Sequence, residues 1–190
     1  MAQTTRDHII EAADMLFYHQ GFEHTSFANI AETVKISRGN FYYHFKSKDD
    51  ILSAVIELRL ARTREMLQRW EDNEQNPADR ITSFIRIQIT NMAKIKQYGC
   101  PVGTLCTELA KLHHTSLADA TKLFTLFRTW LARQFRALGR QTDADQLAMH
   151  LLAASQGVAT LAQSFQDEKF VRREVDQMCT WLETIVQQTD

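Results

Sequence analysis

The chain has 190 residues, 44% hydrophobic and 24% charged, so it can bury the core of one large domain or two small ones, and its formal net charge of -1 excludes a uniformly basic nucleic-acid coat. Six glycines and two prolines are too few for a hairpin-rich fold, and no strand-like run, repeat or low-complexity segment occurs, which points to an all-α protein. The longest apolar stretch, Leu147 to Ala162, is broken by His150, Ser155 and Gln156, three cysteines form no disulfide framework, and MAQTTRDHII shows no signal-peptide pattern, so a cytoplasmic location without membrane contact is expected.

Helix starts are read from caps. Thr4 precedes Asp7 by three residues, and the same spacing recurs at Ser47/Asp50, Ser116/Asp119 and Thr142/Asp145. Asn76-Pro77-Ala78-Asp79 offers a cap, a first-turn proline and an early acid. Gly21, Gly99 with Pro101, and Gly139 mark stops. Nine helices follow, near 5–20, 26–34, 37–44, 47–72, 77–97, 102–113, 116–138, 143–166 and 169–188. Ile9, Ala13, Leu16 and Phe17 share a face of the first helix; Phe27, Ile30, Ala31 and Val34 line the second; Phe41 and Phe45 line the third. These stripes can close a small three-helix core. The long fourth helix carries Leu52, Val55, Leu58 and Leu67 and can reach from that core to a second one, which suggests a division into residues 1–50 and 51–190.

The third helix lies in a window without acids: from Lys35 to Lys48 the charged residues are Lys35, Arg38, Lys46 and Lys48. Only Lys35, Ile36 and Ser37 separate the second helix from Arg38, the spacing of a helix-turn-helix. With Phe41 and Phe45 turned inward, Arg38, Asn40, Tyr43 and His44 remain near the outer side, flanked by Tyr42. Arginine can fork onto guanine and asparagine onto adenine. Gly39 removes a side chain where a duplex would come close. Tyr and His tips, Lys46 and Lys48 can reach phosphates, and Thr25 and Ser26 at the start of the second helix offer hydroxyl and N–H groups to another. Each cation alone fits an ordinary solvated face, but a first-turn glycine and two exposed tyrosines beside four cations have no packing role.

The stretch SRGNFYYHFKSKDDILSAV resembles the recognition helix and following helix start of the TetR family of bacterial transcription regulators, through Ser37, Gly39, Tyr42, His44, Phe45 and Lys48. AADMLFYHQGFEHTSFANIAE is similar to that family's opening helices, and the specific likeness covers about the first quarter of the chain. The resemblance implies a homodimeric repressor whose N-terminal domains read a palindrome in double-stranded DNA and whose C-terminal domains bind a small inducer. It implies that Arg38, Gly39 and Asn40 meet bases, that Tyr43 touches base methyls or backbone, and that Tyr42, His44, Lys48, Thr25 and Ser26 hold phosphates. Two positions depart from the pattern. Lys35 stands where the family often has glycine, and Ala28 stands near the place of a base-reading arginine.

In the remainder, LAMHLLAASQGVATLAQSF is apolar nearly all round and rich in small residues, and the last helix carries a stripe of apolar residues. Leu151, Ala154, Ser155, Val158, Met178, Leu182 and Ile185 are candidates for a two-helix face that pairs with its copy as a four-helix bundle, a monomeric core being the alternative. Phe84, Met92, Tyr98, Phe127 and Trp130, with Cys100 and Cys106, are candidates for a ligand pocket. The segment YGCPVGTLCTELAKLHH has three readings: structural thiols with an exposed histidine pair, a sensor thiol at Cys100 activated by a helix start, or a metal site, whose spacing fits no compact zinc pattern. Some electrophile sensors of the same family have a Gly-Cys at the corresponding point. No nucleophile with an adjacent base, phosphate-cradling loop, metal pair or cofactor motif is found, so neither an enzyme nor a cofactor is expected. A helical adaptor binding protein through the aromatic patch is the other class to test against.

Overall fold

The computed structural model describes residues 4–188. Within them the chain forms ten α-helices and no strand: α1 (Thr5–Gln20), α2 (Phe27–Val34), α3 (Arg38–His44), α4 (Lys48–Asn73), α5 (Pro77–Thr90), α6 (Met92–Tyr98), α7 (Pro101–Lys111), α8 (Leu117–Ala137), α9 (Ala144–Phe165) and α10 (Glu168–Gln187). The single helix expected over 77–97 runs as two, broken at Asn91. Asn91 sits at φ -102°, ψ 11°, outside helical geometry, yet its N–H donates to Ile87 O and its carbonyl accepts from Ile95, both at 2.9 Å. The four-residue hydrogen-bond ladder thus passes through Asn91 even though its dihedrals leave the helical region.

Several starts form as the caps require. The Thr4 hydroxyl accepts the Asp7 N–H at 3.2 Å while the Asp7 carboxylate accepts the Thr4 N–H at 3.0 Å, and these bonds hold the Asp7 carboxyl below its ordinary pKa. Ser47 and Asp50 exchange the same pair at the start of α4, at 3.0 and 2.9 Å. A reciprocal box also opens α2, with Asn29 in the acid's place opposite Ser26. Thr142 is not a cap. Asp143 opens α9, and its carboxylate is held by Arg140 instead.

The chain divides into two compact units. One comprises the described residues up to Arg62 with Pro101–Leu123; the other comprises Thr63–Cys100 with the residues from Phe124 on. In the first unit the stripes of α1, α2 and α3 meet the start of α4, with Ile9, Ala13, Ile30, Phe41, Leu52 and Val55 all at most 1% exposed. Leu105 and Leu109 of α7 are buried in the same unit, and a guanidinium ties the helices together: Arg59 of α4 donates to the Asp14 carboxylate of α1 at 2.6 Å and to Pro101 O at 2.7 Å.

In the second unit α10 lies along α5 and α9, and α6 lies along α9. Buried Ala144, Ala148, Ser155, Ala159 and Ala162 of α9 give its neighbours a close approach. Glu71 is a polar hub there: its carboxylate accepts from Trp130 Nε1 at 2.5 Å and from Arg133, while Arg80 donates to its carbonyl.

Lys35 closes α2 in the left-handed region, at φ 58°, ψ 44°, and donates its N–H to Glu32 O at 3.1 Å. A side chain with a Cβ is strained there, by about 1–2 kcal/mol. Lys35→Gly is expected to raise stability by about 1 kcal/mol in a urea melt, less than the full strain because glycine also frees the unfolded chain. Lys35→Ala, which keeps the strain, is expected to leave the midpoint nearly unchanged.

Candidate functional site

α3 has seven residues, too few to persist alone in water. Its neighbours fix it. Ser37 Oγ accepts the Asn40 N–H at 3.3 Å, Phe41 and Phe45 are 1% and 3% exposed, and the Phe41 ring lies 5.0 Å from that of Phe27. Burial of residues four apart turns the opposite side of the helix to solvent. Arg38, Gly39, Asn40, Tyr42, Tyr43 and Lys46 are exposed, Tyr43 at 78%. His44 is half-buried, its ring edge-on to Tyr43 at 5.1 Å. Tyr42 is braced on both sides: its ring meets Phe27 edge-on at 5.6 Å, and its carbonyl accepts Lys46 Nζ at 2.5 Å.

Among the described residues Lys35, Arg38 and Lys46 enter no ion pair, whereas Lys96, Lys122, Arg128 and Arg140 each hold a carboxylate. Those carboxylates register it: partner bonds hold the carboxyls of Asp143, Asp145 and Glu168 below their ordinary pKa. Around α3 the positive charge stays uncompensated, which suits a polyanion. A Cβ built at Gly39 would meet nothing within 4 Å, so the chain's own packing does not require glycine there.

Other expected contacts lie differently. Ser26 Oγ is exposed and spans Asn29, accepting its N–H at 3.2 Å and donating to Oδ1 at 2.7 Å. Thr25 is 1% exposed; its hydroxyl donates to Gly21 O at 2.7 Å and accepts from Gln20 at 3.2 Å. Lys48 Nζ donates to Phe22 O and Glu23 O at 3.1 and 3.2 Å and sits 4.3 Å above the Phe22 ring. Thr25 and Lys48 are therefore engaged inside the chain, on the α1–α2 turn, instead of standing open to a phosphate. Sequence reasoning placed Phe27 in the core stripe of α2 and missed only that it braces both Phe41 and Tyr42.

In the second unit Phe84 packs on Phe127, ring centroids 5.6 Å apart, and Met92 is buried beside them in one cluster. Trp130 is 4% exposed, bonded to Glu71 and packed on Trp70, so it is committed to structure. Tyr98 is half-buried. Gln156 Nε2 approaches Cys100 Sγ at 3.5 Å. Cys106 is half-buried and belongs to the first unit. Burial raises the pKa of the third thiol, Cys179. No group of His, Cys, Asp and Glu among the described residues could hold a metal ion, and no helix of theirs is long and apolar enough to cross a membrane.

One acceptor is orphaned. Gln88, 5% exposed, donates to Ser155 O at 3.2 Å, but its Oε1 has no hydrogen-bond partner among the described residues. The expected dimer residues Leu151, Val158, Met178, Leu182 and Ile185 lie in the chain's own core with Ala154 at its edge, and Ser155 is 2% exposed. α9 has a second stripe, one position over. His150, Ala154, Gly157 and Leu161 line an open groove of about 360 Å³ with Phe170 and Trp181, and the expected Leu151, Val158 and Met178 line it too; Leu161 and Phe165 are 41% and 71% exposed.

Comparison with known proteins agrees with this geometry. The family model for bacterial regulatory proteins of the tetR family matches residues 9–55, and that for the LmrA/YxaF-like transcriptional regulator C-terminal domain matches residues 77–177. The probable HTH-type transcriptional regulator ArpR of Pseudomonas putida is 40% identical over 169 residues, covering 83% of this chain and 79% of its own. A TetR transcriptional regulator from Legionella pneumophila superposes with a TM-score of 0.81 at 25% identity over 93% of this chain and 98% of that one. The reduced form of NemR from Escherichia coli shares the fold, with a TM-score of 0.80 at 20% identity over 96% and 97%. A helix-turn-helix with an unpaired cationic face, joined to a helical C-terminal domain of matching type, makes this chain a member of the tetR family of bacterial transcriptional regulators.

Proposed function

We propose that this regulator is a homodimeric repressor that reads a palindromic operator through α3 and is released by a small-molecule inducer. Residues 1–50 serve DNA reading, and residues 51–190 serve ligand binding and pairing. The observation that carries the reading is the outer face of α3, where exposed Arg38, Asn40 and Tyr43 stand with cations that no carboxylate among the described residues pairs. Arg38 and Asn40 read base edges, and Gly39 lets the helix backbone sit close. Tyr42, His44, Lys46 and Ser26 hold phosphates, while Thr25 and Lys48 stiffen the turn that presents them.

Two-fold operators need two equivalent readers, and the outer stripe of α9 with Phe170 and Trp181 is the apolar face available for pairing. Leu151, Val158 and Met178 form part of that face, and Ser155, Leu182 and Ile185 support it from beneath. The inducer occupies the second unit near Phe84, Phe127 and Gln88, where the orphan amide oxygen would receive its N–H or O–H group. Release requires that the inducer bind the DNA-incompetent state more tightly than the competent one.

A second reading is supported by Cys100, which precedes the first residue of α7 and has the Gln156 amide within 3.5 Å of its sulfur. It makes the trigger a thiol, attacked by an electrophile or oxidant. The structure of the neighbour NemR from Escherichia coli is that of its reduced form.

Gel-shift titration of a fragment from the protein's own promoter region tests the main reading. Arg38→Ala and Asn40→Ala are expected to lose about 1–3 kcal/mol of preference for that fragment over scrambled DNA, and Lys46→Ala to weaken both alike and lower the salt slope by about 1. No change in any of the three rejects the assignment. Gly39→Ala carries opposite signs: the free protein gains up to about 1 kcal/mol in a melt while operator affinity falls, because the new methyl meets only DNA. For the thiol reading, the Cys100→Ser protein is expected to stay on DNA after electrophile treatment. Release as in the wild type from both Cys100→Ser and Cys106→Ser ends that reading.

A further inference from the structure

The turn between α1 and α2 is gripped from a distant part of the chain. Glu108, in the last turn of α7, accepts the Phe22 N–H through Oε2 and the Glu23 N–H through Oε1, each at 2.9 Å. The carbonyls of the same two residues accept Lys48 Nζ at 3.1 and 3.2 Å. Every backbone polar group of Phe22 and Glu23 is therefore partnered: donors by a carboxylate, acceptors by an ammonium at the start of α4, with Thr25 N–H as a second donor to Phe22 O at 3.2 Å. The Phe22 side chain is 2% exposed, edge-on to Phe17 at 5.3 Å and to His114 at 5.1 Å. Gly21 shows how tight the grip is. At φ +91° it admits the turn, and a Cβ there would come within 2.9 Å of the Glu108 carboxylate. Charge-assisted bonds to paired N–H groups are short, directional and about twice as strong as neutral ones.

We propose that Glu108 is a positioning residue for DNA reading: through Phe22 and Glu23 it sets the start of α2, and with it the angle at which α3 is offered to the duplex. Three observations carry the step. Ser26, the cap of α2, follows Glu23 by only three residues, so the grip fixes the helix entry. Phe27 of α2 is the brace for Phe41 and Tyr42 of α3, so a rotation of α2 moves the reading surface. Glu108 lies outside the helix-turn-helix itself, 85 residues on from Glu23, so the reading head takes its reference from α7. The proposal rests on the DNA-reading role of α3 argued above.

The test uses the full chain and two variants, Glu108→Ala and Glu108→Gln; the second keeps the shape but puts an amide NH₂ against one of the two N–H groups. Three quantities are read: exchange protection of the Phe22 and Glu23 amides, the urea midpoint, and the ratio of affinities for the promoter fragment and for scrambled DNA at one salt concentration. The expected result is at least tenfold loss of protection at those two amides and a five- to tenfold fall in the ratio, larger than the lowered midpoint accounts for, because scrambled DNA needs no fixed angle. Glu108→Gln is expected to fall between wild type and Glu108→Ala. A ratio equal to that of the wild type, or one that follows only the unfolded fraction, overturns the proposal, as does unchanged amide protection. A wild-type protein that prefers no promoter fragment fails the DNA-reading proposal itself, and the positioning role falls with it.

Discussion

Two buried phenylalanines hold up a helix that could not exist by itself. Helix nucleation is unfavourable, and seven residues do not repay it in water. α3 persists because Phe41 and Phe45 leave solvent on one side, and that burial decides which residues remain outside. A substitution that let α3 rotate by one residue would bury Tyr42 and expose Phe41. The chemistry presented to a partner is thus a consequence of core packing, and the tilt of α3 is inherited from whatever holds α2.

Electrostatics then separates this face from the rest of the surface. The chain is nearly neutral, and elsewhere several of its cations find acids: Arg59 and Arg62 on α4 meet Asp14, and Arg128 meets Asp145 across a helix connection. Exposed pairs of this kind contribute little to stability, but they cancel local field. Lys35, Arg38 and Lys46 are left without such cancellation in a window lacking acids, so a modest number of charges produces a local positive potential on a protein of net charge -1. Net charge carries no sign of this; the spacing of acids does.

Local signals in the sequence were legible wherever chemistry acts over three or four residues. The Thr4, Ser47 and Asn76 caps and the glycine stops at Gly21, Gly99 and Gly139 could be read directly, as could the inward phenylalanines of α3. Asn91 hid a break because asparagine inside an apolar periodic run gives no stop signal as strong as glycine. α9 was legible only in part. A helix apolar nearly all round contains several plausible stripes: 155 and 162 face the chain's own core, 150, 154, 157 and 161 line the groove, and 151 and 158 are buried yet form part of the groove lining. The choice depends on which neighbours reach it first, information that lies in α5, α6 and α10. Thr25 and Lys48 were read as phosphate ligands because their types suit phosphate; that the turn beside them needed a hydroxyl and an ammonium could be seen only once its carbonyls were in place.

The grip of α7 on the first turn was beyond such reading altogether, since a glutamate in an amphipathic helix looks like any solvated acid. Its consequence follows from the path of the chain. Residues pass from the second unit to the first at Cys100 and Pro101, and α7 begins there. Pro101 hands its carbonyl to Arg59, and two turns later Glu108 holds Phe22 and Glu23. A helix transmits displacement along its axis because its hydrogen-bond ladder resists local stretching. Any event that shifted the Gly99–Pro101 connection would act on Arg59 and on Glu108 at once, one tied to α1 and α4, the other to the entry of α2. Such a shift would need no rearrangement inside the reading head: Phe41 and Phe45 would stay packed and the exposed cationic side of α3 would stay outward while the reference for α2 moved.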